Sequence, residues 1–289
     1  MLKSLPDSKK VDLWIRASGK ALLWGMSLVG IFFLYLPIVI LVIYSFNESK
    51  INAVWRGFTL QWYQSLFEGL TVGSDISNVL IWDALKNSLI VGFISTGVAT
   101  ILGTMIGLAM ERFHFRGRTV IEGLLFLPII IPDITMGIAL LVFFSLVFQL
   151  LESLTGMRLV LGLPTVIIGH IAFNISYVAV VVRSRIADLD PTLEEAALDL
   201  GANEWKSFWR ITLPLIYPGI LSGALLAFTL SLDDFVITFF TAGVGATTLP
   251  VFVYGMIKVS VTPAINAIST IMLFASLIIV VLSFSLQRH

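Results

Sequence analysis

Enzymatic or metal chemistry needs nucleophiles, acids or ligands that converge, and this sequence offers few. It contains no Cys, which rules out disulfides, thiol catalysis and Cys-type metal sites. Its three histidines, His114, His170 and His289, stand far apart and read as satisfied or solvent-facing side chains rather than ligands. What remains is a small set of acids in apolar surroundings: Asp133, after the Pro128/Pro132 pair, and the adjacent Asp233 and Asp234. A carboxylate inside a membrane is costly to keep and commonly marks an ion or substrate path. These three are therefore candidates for a pathway that takes a cation. The two prolines predict a broken helix before Asp133, whose freed carbonyls would also suit a cation. A competing reading makes Asp133 the cap of a helix restarting after Pro132, and places Asp233 and Asp234 in water at an outer mouth.

The acids count as intramembrane because the chain is built for lipid. Hydrophobic residues make up 57% of its 289 residues and charged residues 12%, with a mean hydropathy of +0.97. An ordinary globular domain carries about twice that charge. The zero net charge removes any electrostatic case for nucleic acid. Six stretches, near 21–46, 84–110, 119–148, 160–182, 212–240 and 264–286, are long enough to cross about 30 Å of hydrocarbon. The first is too long for a signal-peptide core and is expected to stay as a span. A shorter apolar patch from Leu249 to Ile257 is expected to rest in or dip into the interface. Counting Lys and Arg in alternate loops gives 13 on one side and 5 on the other, which places both termini on the cytoplasmic side. The expected organisation is an all-α integral membrane protein, with residues 1–20 as a cytoplasmic extension and 21–289 as the transmembrane domain. The external loop 47–83 carries Trp55, Phe58, Trp62 and Tyr63. Aromatics of this kind rest in the membrane interface, and docking of an external partner is the sharper alternative.

Between spans four and five lies the most informative stretch, the cytoplasmic loop 190–211. Either Asp190 with Pro191 at the first helical position, or a Thr192/Glu195 capping box, predicts a helix start. Gly201 suits a left-handed helix end, and Asn203 restarts a helix that enters span five at Leu213-Pro214. Ala196 and Ala197 at the helix centre let another surface approach the backbone. Glu194, Glu195 and Asp199 add charge that can pair with a basic partner. Such a helix can seat in a groove of another protein, whereas the plain alternative is a solvated connector.

The residues here resemble a known family. Glu195-Ala196-Ala197, three residues, Gly201, nine residues, Ile211, one residue and Leu213-Pro214 match the "EAA loop" of bacterial ABC-importer permeases at each defined position. The wider chain resembles the PotC-type permeases of spermidine/putrescine importers. That similarity runs through Trp55-Arg-Gly-Phe-Thr59, Trp62-Tyr63, Pro132-Asp133-Ile134, Ser231-Leu-Asp-Asp234 and Met256-Ile-Lys-Val259. The resemblance implies a type I ABC importer permease (MetI-like) fold in a bacterial inner membrane, with Glu194, Glu195, Ala196, Ala197, Asp199 and Gly201 on a coupling helix. It implies as partners a second related permease subunit, an ATPase subunit dimer, an extracytoplasmic solute-binding protein and membrane lipid. The chain itself is expected to be no enzyme and to hold no cofactor, with ATP and Mg on the ATPase; no Gly-x-x-x-x-Gly-Lys-Ser/Thr loop occurs in it. Rival readings are an ABC permease for another solute, such as ferric iron or thiamine, and a self-contained channel or secondary carrier.

Overall fold

The computed structural model describes residues 7–49, 54–68, 76–190, 192–259 and 263–287. Among them the chain is helical, in the order α1 (Asp7–Tyr44), α2 (Gln61–Glu68), α3 (Ile76–Arg112), α4 (Arg118–Ile130), α5 (Asp133–Thr155), α6 (Leu163–Ala187), α7 (Thr192–Asp199), α8 (Glu204–Ser207), a π-helical turn Phe208–Thr212, α9 (Leu213–Asp233), α10 (Val236–Thr241), α11 (Leu249–Val259) and α12 (Pro263–Gln287). Among the described residues six segments are long and apolar enough to cross a membrane: Ser18–Tyr44, Leu80–Arg112, Asp133–Thr155, Leu163–Ala187, Glu204–Asp233 and Pro263–Leu282. The number agrees with the sequence expectation; several boundaries do not.

The stretch 119–148 is two helices. Pro132 lacks the N–H that would continue the ladder, and the chain is extended at Ile131 and Pro132 before restarting at Asp133. The stretch 212–240 also breaks, at Asp234, whose extended backbone separates α9 from α10. Of the Lys and Arg assigned to loops in that count, Lys20, Lys86, Arg112, Arg183, Arg185, Lys206 and Arg210 lie within spanning segments, most of them near a helix end. The patch from Leu249 is an 11-residue helix, shorter than any span, with Leu249 fully buried and its N–H donated to Ser88 Oγ at 2.8 Å.

The chain divides into two compact units, residues 1–64 with 261–270, and residues 65–260 with 271–289. In the first, residue 20 falls inside α1, which continues through it unbroken. Asn47 organises the turn that follows. Its side chain donates to Val54 O at 2.9 Å and accepts from Arg56 N at 3.0 Å, and its carbonyl accepts from Trp62 Nε1 at 2.7 Å. Phe46 stacks on Phe58, and Tyr63 shares a hydrogen bond with Ser45. Trp62 and Tyr63 thus hold the loop itself together, and only Trp55 and Phe58 of the four aromatics are exposed as an interfacial anchor would be. Residues 50–53 and 69–75 of that loop lie outside the described residues.

In the second unit α3, α6 and α9 pack on one another. Their buried cluster is Val178, Val182, Ile186, Ile216 and Ala227, with Leu213 against it. Small residues set the spacing. A Cβ on Gly103 would come within 2.9 Å of Ile175 O, so α3 and α6 approach almost backbone to backbone.

Candidate functional site

The 190–214 loop is built as its sequence reads. Asp190 Oδ1 accepts from Thr192 N at 3.0 Å and caps α7; Pro191 lies outside the described residues. At the other end Ala202 N donates to Ala197 O at 3.0 Å and Gly201 N to Leu198 O at 2.9 Å. This pair of bonds closes the helix around a left-handed Gly201, at φ +85°. A Cβ there would meet open space, so glycine is needed for its backbone alone. Asn203 caps α8 by accepting from Lys206 N at 2.8 Å. The π-helical turn then leads without a break into α9, where Leu213 packs against the core and Pro214 follows the turn.

The helix presents two chemically different faces. Glu195, Ala196 and Asp199 are exposed, together with Leu193, Leu198 and Leu200. Ala197 is buried and Glu194 half-buried. Glu194 is therefore not an acid held out for a basic partner: Arg112, at the end of α3, binds both of its oxygens, and Thr212 Oγ1 donates to Oε1. This hydrogen bonding from Arg112, with Thr212 adding to it, holds the Glu194 carboxyl below the usual carboxylate range. A half-exposed pair of this kind adds on the order of 1 kcal/mol or less to stability, so its effect is mainly positional. Beside it, Arg183 of α6 donates to Glu111 Oε2 at 3.0 Å and to Glu122 Oε1 at 2.5 Å, tying α6 to α3 and α4.

The three candidate pathway acids lie in two different settings. Asp133 begins α5 and is exposed, without a cap bond from Pro132. Asp233 ends α9 and is exposed, accepting from Ser276 Oγ at 3.2 Å. Among the described residues no hydrogen bond or ion pair joins Asp133 to Asp233; α5 packs on α10, the helix just after Asp234. Asp234 is turned inward, with its side chain 10% exposed. It accepts from Ile237 N at 3.2 Å, from Thr238 N and Oγ1 at 2.9 Å each, and bonds His170 Nε2 at 3.1 Å. Asp234 thus has a partner that comes from another span. The reading of His170 as a satisfied side chain holds at Nε2, while the buried Nδ1 has no partner among the described residues.

Three participants had no local signal. Arg112 becomes meaningful only through Glu194, 82 residues on. His170 needs Asp234, 64 residues on. Asn174 donates to Ser231 Oγ at 2.8 Å, and Ser231 meets Ser95 Oγ at 3.1 Å, a buried polar chain across α6, α9 and α3. The i, i+4 spacing of His170 and Asn174, two polar residues on one face of an apolar helix, was the one available hint.

The described residues thus form a polytopic helical membrane protein with a capped helix exposed between two spans. The chain belongs to the family described as binding-protein-dependent transport system inner membrane components, which it matches over residues 99–289. It is 42% identical over 249 residues to the putrescine transport system permease protein PotI of Escherichia coli strain K12, covering 86% of this chain and 84% of the relative. It is 38% identical over 256 residues to the spermidine/putrescine transport system permease protein PotC of Haemophilus influenzae, covering 89% and 92%. In fold it resembles a subunit of a bacterial ABC transporter that imports the acidic polysaccharide alginate, with a TM-score of 0.71 over 96% of this chain and 98% of that one at 20% identity. The chain is thus a multi-pass inner-membrane subunit of a transport system with a type I ABC importer permease fold.

Proposed function

We propose that this chain is one of two permease subunits of a polyamine importer, driven by a separate ATPase that holds the ATP and Mg. The exposed face of α7 carries this reading: Glu195, Ala196 and Asp199 form a small, acidic surface presented by a helix capped at both ends. The ATPase seats on that face, and both termini lie on the same, cytoplasmic side, in keeping with the excess of Lys and Arg there. Gly201 fixes the angle at which α7 meets α8. The polyamine assignment rests on the putrescine and spermidine relatives and on Asp133 and Asp233, exposed acids without a basic partner among the described residues. Each supplies negative charge to the passage. Asp234 instead maintains the break between α9 and α10 that presents Asp233. The same alginate importer fold is known in complex with a periplasmic protein carrying a pentasaccharide, and a solute-binding protein on the outer side delivers the polyamine here. The permease alternates between openings as the ATPase dimer closes and reopens.

The test is reconstitution of the chain with its co-purifying subunits in proteoliposomes. Putrescine or spermidine, given with the binding protein, should stimulate ATP hydrolysis and be taken up only with ATP. Stimulation by another solute but not by polyamines would replace the substrate. Uptake by the purified chain alone would overturn the reading.

A further inference from the structure

We propose that the contact among Arg112, Glu194 and Thr212 is the fixed link through which movement of α7 reaches α3 and α9 together, making Arg112 and Glu194 positioning residues for transport. This rests on the reading of α7 as the ATPase-facing helix. Glu194 is turned inward while the neighbouring Glu195 and Ala196 are exposed, and both of its oxygens are taken within the chain. Its two partners belong to different spans: Arg112 is in the last turn of α3, and Thr212 is the residue before α9. One carboxylate therefore holds three chain segments at one point.

Geometry beside the link makes it matter. A cavity of about 650 Å³, lined by Leu108, Arg112, Phe113, Glu194, Trp205 and Phe208, opens between the end of α3 and the α7–α8 segment. Beside that open space, the Arg112–Glu194 pair is the contact through which a push on α7 passes to α3. From α3 it continues: Glu111, the residue before Arg112, is bonded to Arg183 of α6, which also holds Glu122 of α4. Four helices are thereby moved from one contact. A guanidinium gripping a carboxylate by two parallel bonds resists rotation as well as separation, which a single hydrogen bond would not.

The experiment measures solute imported per ATP hydrolysed by the reconstituted full complex. Glu194→Gln and Arg112→Gln should assemble and hydrolyse ATP within about twofold of the parent chain, yet import about tenfold less per ATP, within the span usual for coupling between sites. The exchange Arg112→Glu with Glu194→Arg should recover coupling to within about threefold of the parent. Because the chain has no Cys, Arg112→Cys with Glu194→Cys can be tethered by a short bis-maleimide. A fixed link predicts that the tethered pair imports normally and the untethered pair does not. Should the glutamine variants and the exchange all fail to assemble, the tethered pair decides the matter. Normal import per ATP in both glutamine variants, or an uncoupled tethered pair, would overturn the inference. ATP-independent import by the parent complex would instead overturn the ATPase-driven reading beneath it.

Discussion

The α7 loop and the α9–α10 break both interrupt the membrane-spanning pattern, but they are held by different means. The loop is closed by its neighbours in sequence: Asp190 caps its start, Gly201 its end, and Asn203 the next helix. The break is capped locally, Asp234 accepting from Ile237 and Thr238, and is also held from a distance, by His170 of α6 bonded to the same acid. Water can replace a lost bond in the loop, whereas nothing replaces one at the break. At the loop Glu194 is held by Arg112 and Thr212, while Glu195 and Asp199 stay exposed and free to serve a contact with another subunit. At the break, one acid of the adjacent pair is spent on structure so that the other can stay exposed.

The sharpest way to break this comparison is Asp234→Ala. It strips α10 of its cap and leaves buried His170 with Thr238 Oγ1 as the remaining partner of Nε2, at a cost on the order of 2 kcal/mol. We expect loss of assembled complex, measured by co-purification of subunits, with Asp234→Asn milder. Asp233→Asn and Asp133→Asn should behave oppositely: normal assembly, with polyamine uptake lowered by about tenfold or more, each factor of ten being about 1.4 kcal/mol. If Asp233→Asn fails to assemble and Asp234→Ala assembles, the division between the two acids is reversed.

At the loop, effects should be smaller and confined to coupling. Gly201→Val forces a branched residue into left-handed backbone at about 1–2 kcal/mol. Import per ATP should fall several-fold while insertion is unaffected, and Gly201→Ala should fall less because space around it is open. Glu195→Lys reverses an exposed charge and should weaken ATPase retention in pull-down without changing the permease itself. The least effect is expected from pH. Glu194 titrates below the ordinary carboxylate range in the folded chain, so its link to Arg112 is complete above the ordinary value and is lost only as pH falls through the lowered one. The nearby acids are Glu111, Asp190 and Glu204. Import per ATP should be nearly flat between about pH 7.5 and 5, well above the ordinary Glu pKa of about 4.3.

The same contrast explains what the sequence could say. The caps, the left-handed glycine and the Leu213-Pro214 entry of α9 are signalled by residues within a few positions of where they act, and each was legible. Span number was legible too, because it depends only on apolar length. Breaks were harder. The prolines announced the one before α5, but the one after α9 also draws on His170 of α6, 64 residues from Asp234. The facing of α7 was also hidden: Glu194 and Glu195 are adjacent and alike, and only Arg112 and Thr212 determine which of them turns inward.

The most direct test of the central claim is the reactivity of single cysteines on α7, which the Cys-free chain makes clean. Ala196→Cys, on the exposed face, should react quickly with a maleimide in inverted membranes holding the permease alone. It should be protected once the ATPase binds, whereas Ala197→Cys should react slowly in both cases. Equal labelling of Ala196→Cys with and without the ATPase, or its labelling by an impermeant reagent from outside intact cells, would contradict the account.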